Sequence, residues 1–383
     1  MNRRFATLFA AVILACACCV GIASAQDAAH FYAQPPIRVI SGPDIHPDGP
    51  PPGAETPGSI ACVYNLVKQT PGCPTVSSKV LPTGGVGAVA LVDAFDNPQA
   101  ANDVAVWAKQ FGIKKYSFKV VFATGQRPRF DAGWALEEAL DIEMAVSMAP
   151  KAKIYLVEAA SNSSNDLYFA ETVAADLVTK AGGGVISNSW QGGEYSSELA
   201  DEKTYFTHPG IVYFASSGDG GYNNTGVPAV FASVVAAGGT SIFRDSKGKF
   251  GAENYWPGGG SGLSSFEPRP TYQSIIKNIV GSQRGVPDFS AVATNVVMYD
   301  ASNGGWFTVA GTSVSSPLLA GIVDAAGGKA KSSAAELTEV YKDYANKTKY
   351  KADFRDILQP TPNCKKGWDF CDGVGAPITY KGK

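Results

Sequence analysis

The chain has 383 residues, 45% of them apolar and 17% charged, and its 32 Lys and Arg stand against 34 Asp and Glu for a formal net charge of −2. That balance argues against nucleic acid and against an anionic membrane surface as partners. With 42 Gly and so large an apolar fraction, the chain reads as a loop-rich globular protein, one large α/β domain able to bury a sizeable core.

Residues 1–25 read as a secretory signal peptide, in which Arg3 and Arg4 precede an apolar run ending at the small-residue cleavage signal Ala23-Ser24-Ala25. The run is too short for an anchor, and no later segment is long and apolar enough to span a bilayer. Neither Cys16 nor Cys18 sits in a convincing lipoprotein context, so the expectation is a soluble protein, secreted or periplasmic. Cys16, Cys18 and Cys19 leave with the signal; Cys62, Cys73, Cys364 and Cys371 remain, an even count that favours two disulfides in an oxidising compartment. The short-range pairs Cys62–Cys73 and Cys364–Cys371 are the simplest of the three connectivities. Zinc is disfavoured, since neither pair has tight ligand spacing and only His30, His46 and His208 exist to help.

Residues 26–57 are dense in Pro, Gly and Asp and read as a flexible or extended leader without a core of its own. From residue 58 to 383 the chain reads as one domain. Its apolar, β-branched runs at 86–95, 119–123, 152–159, 183–190, 210–218 and 233–239 predict strands. Helical stretches fall between most of them, at 99–111, 134–148, 164–181 and 197–207. Near-continuous apolar strands alternating with helices imply a parallel sheet covered on both faces, with its site beyond the carboxyl ends of the strands.

Three stretches could carry chemistry. The helix "WALEEALDIEMAVSMAP" holds Glu137, Glu138, Asp141 and Glu143 with no basic residue before Lys151. Glu137 and Asp141 share one face with Trp134, Ala145 and Met148, and two acids in partly dry surroundings cannot both ionise cheaply. Taken alone, an exposed acidic face is the commoner explanation, and spacing does not separate Glu137 from Glu138. In "VAGTSVSSPLLAGIVDAAGG", Ser313 stands at a turn into a small-residue helix, where its hydroxyl is exposed beside backbone N–H groups. In "FASSGDGG", Asp219 lies in a Gly-rich loop directly after a predicted strand. An activated Ser needs a base, and no histidine occupies a usable position, which leaves the acid-rich helix to supply one.

With these residues in place, the chain resembles the sedolisins, the serine-carboxyl peptidases. The likeness runs from about residue 58 to 378 through "ALVDAFDNP", "EEALDIEMAVSMAPKAKI", "VISNSW", "SSGDGG", "VPDFSAVA", "GGWFTVAGTSVSSPLLAGI" and "GWDFCDGVGAP", in the family's order. It implies a subtilisin-like three-layer α/β fold with a central, mostly parallel sheet. It also implies an acid-active peptidase with Ser313 as nucleophile, Glu137 as general base, Asp141 sharing its proton and Asp219 at the oxyanion. One structural Ca²⁺ is implied at Asp356 and Asp369 with the carbonyls of Ile357, Lys365 and Gly367. The expected partner is a peptide or protein substrate, and the expected state a monomer. Two departures stand out: the family's long globular prodomain has only the short leader in its place, and Ala310 stands where the family more often has Gly or Ser. The rival reading is a catalytically silent homologue that binds peptides or another protein. An α/β-hydrolase esterase is disfavoured, because no Gly-x-Ser-x-Gly follows a strand.

Overall fold

The computed structural model describes residues 28–42, 49–327, 330–359, 361 and 363–382. The signal-peptide expectation and His46 lie outside the described residues. In chain order come β1 (Arg38–Ser41), α1 (Pro57–Val63), β2 (Ala88–Ala94), α2 (Ala100–Phe111), β3 (Ser117–Phe122), α3 (Ala132–Met148), β4 (Lys153–Ala159), α4 (Ser164–Lys180) and β5 (Gly184–Asn188). Then follow α5 (Glu198–Tyr205), β6 (Ile211–Ser216), β7 (Val234–Arg244), β8 (Phe250–Tyr255), β9 (Gly262–Pro268), α6 (Lys277–Val280), β10 (Gln283–Val286), β11 (Phe289–Val292), β12 (Thr294–Asp300), β13 (Gly305–Ala310) and α7 (Thr312–Ala326).

The central sheet has the order β11-β7-β6-β5-β2-β4-β3, every neighbouring pair parallel, with β8 antiparallel on β7. Strand β2 is wholly buried, and the pleat sorts its residues. Val89 and Leu91 join the core built with α3 and α7, while Ala88, Ala90, Val92 and Ala94 join the core built with α4. The fold is therefore the expected three-layer α/β arrangement, with one apolar core on each face. Position 93 continues the α3/α7 side, and an acid stands there.

Disulfides join Cys62 to Cys73 and Cys364 to Cys371, the short-range pairs. Among the described residues no helix is long and apolar enough to cross a membrane. The described part of the leader is extended: residues 31–41 lie along the domain with Phe31 and Ala33 buried, and β1 pairs antiparallel with β13.

Candidate functional site

Helix α3 starts at Asp131, whose carboxylate accepts the N–H groups of Gly133 and Trp134 at 3.0 and 3.1 Å and so satisfies two of the free donors of the first turn. From Trp134 onward the helix is buried on every side, packed between the sheet and α7. Its acids are thus not a solvated face: Glu137, Glu138, Asp141 and Glu143 are all at 0% exposure.

The structure brings Glu137, Asp141 and Ser313 together. Ser313 sits in the first turn of α7, immediately after β13, with its Oγ buried and without a hydrogen bond. Neither carboxyl oxygen of Glu137 has a hydrogen-bond partner, yet Ser313 and Asp141 both lie close enough to favour its charged form. Asp141 accepts the Ser189 hydroxyl at 2.7 Å, from the end of β5. The two glutamates have different neighbours: Ser313 lies beside Glu137, whereas the strongest charge neighbour of Glu138 is Glu158.

Burial drives the carboxyls of this cluster upward. Glu137 is raised well above its ordinary value by desolvation, then by Asp93 and Asp219, while Ser313 and Asp141 pull it back. Asp141 is raised by desolvation, then by Asp93 and Glu137, and the Ser189 hydroxyl opposes the rise. Glu137 and Asp141 are thus a coupled pair of buried acids that cannot both ionise cheaply and titrate as a unit. Of the two, Glu137 is the one with Ser313 beside it.

Asp93 is the member that sequence reasoning left unassigned. It is fully buried at the end of β2, both carboxyl oxygens lack hydrogen bonds, and desolvation pushes it up to about 8. Its signal was present in "ALVDAF", an acid inside an otherwise apolar central strand. An unpaired buried carboxyl is costly unless it is neutral, which ties this cluster to protons.

Asp219 follows β6. Its Oδ1 accepts the Thr312 N–H at 2.9 Å and the Thr312 hydroxyl at 3.1 Å, placing it beside the start of α7. Desolvation raises it to about 7, against the donors of Thr312 and the charge of Arg38. The preceding Gly218 has φ +100°, and a Cβ there would meet the Gln191 side chain at 2.4 Å, so the loop needs glycine. The two described histidines are engaged elsewhere. His30 stacks on Tyr195 at 4.2 Å, and His208 Nδ1 is 2.8 Å from the Tyr213 hydroxyl.

The residues expected to hold calcium also converge. Asp356 accepts the Gly367 N–H, Asp369 accepts the N–H groups of Lys365 and Cys371, and the Cys364–Cys371 disulfide closes the loop around them. Ile357 adjoins this cluster through a 3.1 Å bond from its N–H to Asp372. Asp372, which sequence reasoning passed over, is fully buried with Oδ1 unbonded, and it is raised by desolvation, then by Asp369. Among the described residues no group of three His, Cys, Asp or Glu side chains is arranged to hold a metal ion.

Comparison with known proteins bears on the family and the fold. A sequence profile described as the Subtilase family matches residues 131–361. Kumamolisin from Bacillus sp. (strain MN-32) is 29% identical over 363 residues, covering 85% of this chain and 62% of that protein. Sedolisin from Pseudomonas sp. (strain 101) is 31% identical over 139 residues, 30% of this chain and 23% of that protein. The chain thus spans less than two thirds of the length of these relatives. Among solved structures, Pseudomonas sedolisin (serine-carboxyl proteinase), complexed with two molecules of pseudo-iodotyrostatin, has a TM-score of 0.67 at 20% identity, over 85% of this chain and 95% of that one. The S41 psychrophilic protease has a TM-score of 0.56 at 18% identity, over 84% of this chain and 98% of that one.

Proposed function

Because the chain belongs to the subtilase family, in its sedolisin branch, we propose that it is an exported, acid-active peptidase that hydrolyses peptide bonds through an acyl-enzyme on Ser313. The observation that carries this reading is the grouping of Ser313, Glu137 and Asp141 in one water-excluded site, with Ser313 Oγ and Glu137 free of competing hydrogen bonds.

In this mechanism Ser313 Oγ attacks the scissile carbonyl carbon while its proton passes to Glu137. The carbonyl oxygen becomes an oxyanion held by the Ser313 backbone N–H and by protonated Asp219, which donates only in its acid form. Collapse of the tetrahedral intermediate breaks the C–N bond, and Glu137 returns the proton to the leaving amine. Water then attacks the acyl-enzyme, again giving its proton to Glu137, and the carboxylic acid leaves as Ser313 is restored. Asp141, holding the shared proton, donates to Glu137 and keeps it oriented. Asp93 supplies a third buried carboxyl whose charge would raise both.

The resemblance calls for one structural calcium beside Asp356 and Asp369, where the described carboxyls converge without forming a ready-made group of three around an ion. Burial raises Asp356, Asp369 and Asp372, and Asp372 is raised further by the charges of Asp369 and Asp356, a repulsion that a divalent cation would relieve. Asp356 and Asp369 would hold it with the carbonyls of Ile357, Lys365 and Gly367. Bound calcium would fix the loop and take no part in the chemistry.

The test is hydrolysis of a denatured protein substrate from about pH 2.5 to 8, comparing the parent with Ser313→Ala. Acid-confined activity that the substitution abolishes is the expected result. A folded, calcium-supplied parent with no activity at any pH would leave a silent peptide-binding homologue in its place.

A further inference from the structure

One corner of the molecule carries cations and no acids. Residues 66–92, 104–130 and 144–157 contain no Asp or Glu, although the whole chain has 34. These three runs meet at the amino ends of β3 and β4, where they line a groove of about 630 Å³. Lys79, Lys114, Lys115 and Lys151 stand in its wall, all exposed, and Leu81, Ile113 and Tyr116 give it apolar surface. Among the described residues the lysines in ion pairs are Lys180, Lys342 and Lys349, all elsewhere, and the four ammonium groups at the groove have no such partner.

Beside the groove the central sheet ends. Its last strand is β3, which pairs with β4 from Ser117 to Phe122, and among the described residues no strand pairs with its other edge. An open edge offers a row of N–H and C=O groups to an incoming strand. The pleat sets what the side chains of that strand meet. Phe118 and Val120 pack on the same core as Phe111, Ile113 and Tyr116 around the groove, while Lys119 alternates onto the opposite face and is exposed. A guest strand therefore finds the groove on one side and Lys119 on the other.

We propose that the open edge of β3 and its groove are a docking surface for an extended, acidic segment of another protein, added to the sheet as a further strand. Charge selects this occupant. Lysines without partners beside an open edge are complemented by carboxylates, which also steer the encounter. A second copy of this chain is disfavoured on the same ground, because edge-to-edge pairing would set Lys119 and its neighbours against like charges. The charges that keep copies apart thus admit an acidic strand. The groove lies at the amino ends of the strands, whereas Ser313 lies near Ser189, at the carboxyl end of β5. Docking there leaves the catalytic groups untouched and does not rest on the peptidase reading.

The test uses the full chain carrying Ser313→Ala, so that no probe is cut, and fluorescein-labelled peptides read by anisotropy at about pH 7, where carboxylates and ammonium groups are both charged. The alternating peptide EVEVDIEV should bind, and its uncharged form QVQVNIQV should bind about tenfold more weakly. Lys114→Glu combined with Lys115→Glu changes two exposed side chains and should weaken the acidic peptide about tenfold, with a smaller loss when salt is raised. Methylating alternate amide nitrogens of that peptide, in either of the two registers, separates strand pairing from charge. One methylated form should bind like the unmethylated peptide and the other about tenfold more weakly, since only one set of donors faces β3. Equal binding by both methylated forms would refute strand addition. Equal binding of the acidic and uncharged peptides, or of the acidic peptide to the Lys variant and its parent, would refute the acidic occupant. Binding of dextran sulfate or of phosphatidylglycerol vesicles, with no affinity for the acidic peptide, would make the corner a polyanion surface and overturn the proposal.

Discussion

Replacing Asp219 by Asn asks whether a protonated carboxyl holds the oxyanion. Asp219 is pushed up to about 7 by burial, which Thr312 and Arg38 only partly offset. With that value about 99% of molecules carry the proton at pH 5 and about 9% at pH 8. Loss of one oxyanion donor costs about 10²–10³ in kcat. The parent's kcat/KM should therefore fall about tenfold between pH 5 and pH 8 and continue toward a floor about two to three orders down. An Asn amide donates at every pH, so Asp219→Asn should lose this limb and exceed the parent at pH 8. Arg38→Ala should move the parent's limb upward, because the Arg38 charge favours ionised Asp219. The assay is kcat/KM on a fluorogenic peptide from pH 4 to 9, with circular dichroism confirming the fold throughout. An Asn variant that keeps the parent's alkaline limb would refute the reasoning, since the titrating group would then lie elsewhere. The acid limb belongs to Glu137, Asp141 and Asp93 as a coupled unit, and no single residue should account for it.

Stability should fall as pH rises. Asp93, Glu137 and Asp141 have folded-state proton affinities above their unfolded values, so between about pH 4 and 8 the native chain holds protons that the unfolded chain has shed. Each such proton costs about 1.4 kcal/mol of stability per pH unit across that window, and calorimetry of Ser313→Ala should show a lower midpoint at pH 8 than at pH 5. A midpoint that rises would contradict the burial of neutral carboxyls. Arg284 forms a fully buried two-pronged pair with Asp288, at 2.8 and 2.6 Å. Arg284→Met should cost about 3–5 kcal/mol by leaving Asp288 uncompensated, measured by denaturant unfolding. Calcium at about 100 times its Kd should add about 2.7 kcal/mol, read as a rise in the thermal midpoint that a chelator reverses and Asp369→Asn abolishes.

How much of this could be read from the residues depends on which part of the chain does the binding. Elements that announce themselves through side chains were legible. The acidic helix expected at 134–148 spans Ala132–Met148, and the strand expected at 152–159 spans Lys153–Ala159. Of the antiparallel strands that lead into Ser313, β13 falls inside a motif and β12 in none, and neither announces itself as a strand, because short mixed runs give no clear period. The direction of the acids was not legible either: a helical stripe groups Glu137 with Asp141, but only the packing of α3 against both sheet and α7 shows that Glu138 is buried as well. Asp93 was hidden for a related reason, since a wholly apolar strand conceals which face its one acid will meet.

The leader shows the limit most clearly. Its Pro, Gly and Asp content reads as a segment without a core of its own, and composition says nothing more. What holds residues 33–38 is largely main-chain hydrogen bonding to Asn162, Gln191 and Ser313, and every residue except Pro brings the same donor and acceptor. Such pairing leaves its trace on the partner surface instead. Gly311 illustrates it: its extended φ of 163° demands no glycine, yet Pro36 O would lie 2.1 Å from a Cβ placed there. The glycine before Thr312-Ser313 thus reports a peptide carbonyl passing at contact distance. A substrate drawn into the site would have to bring its own carbonyl past the same atom, so the residue that admits the leader is also one the chemistry requires.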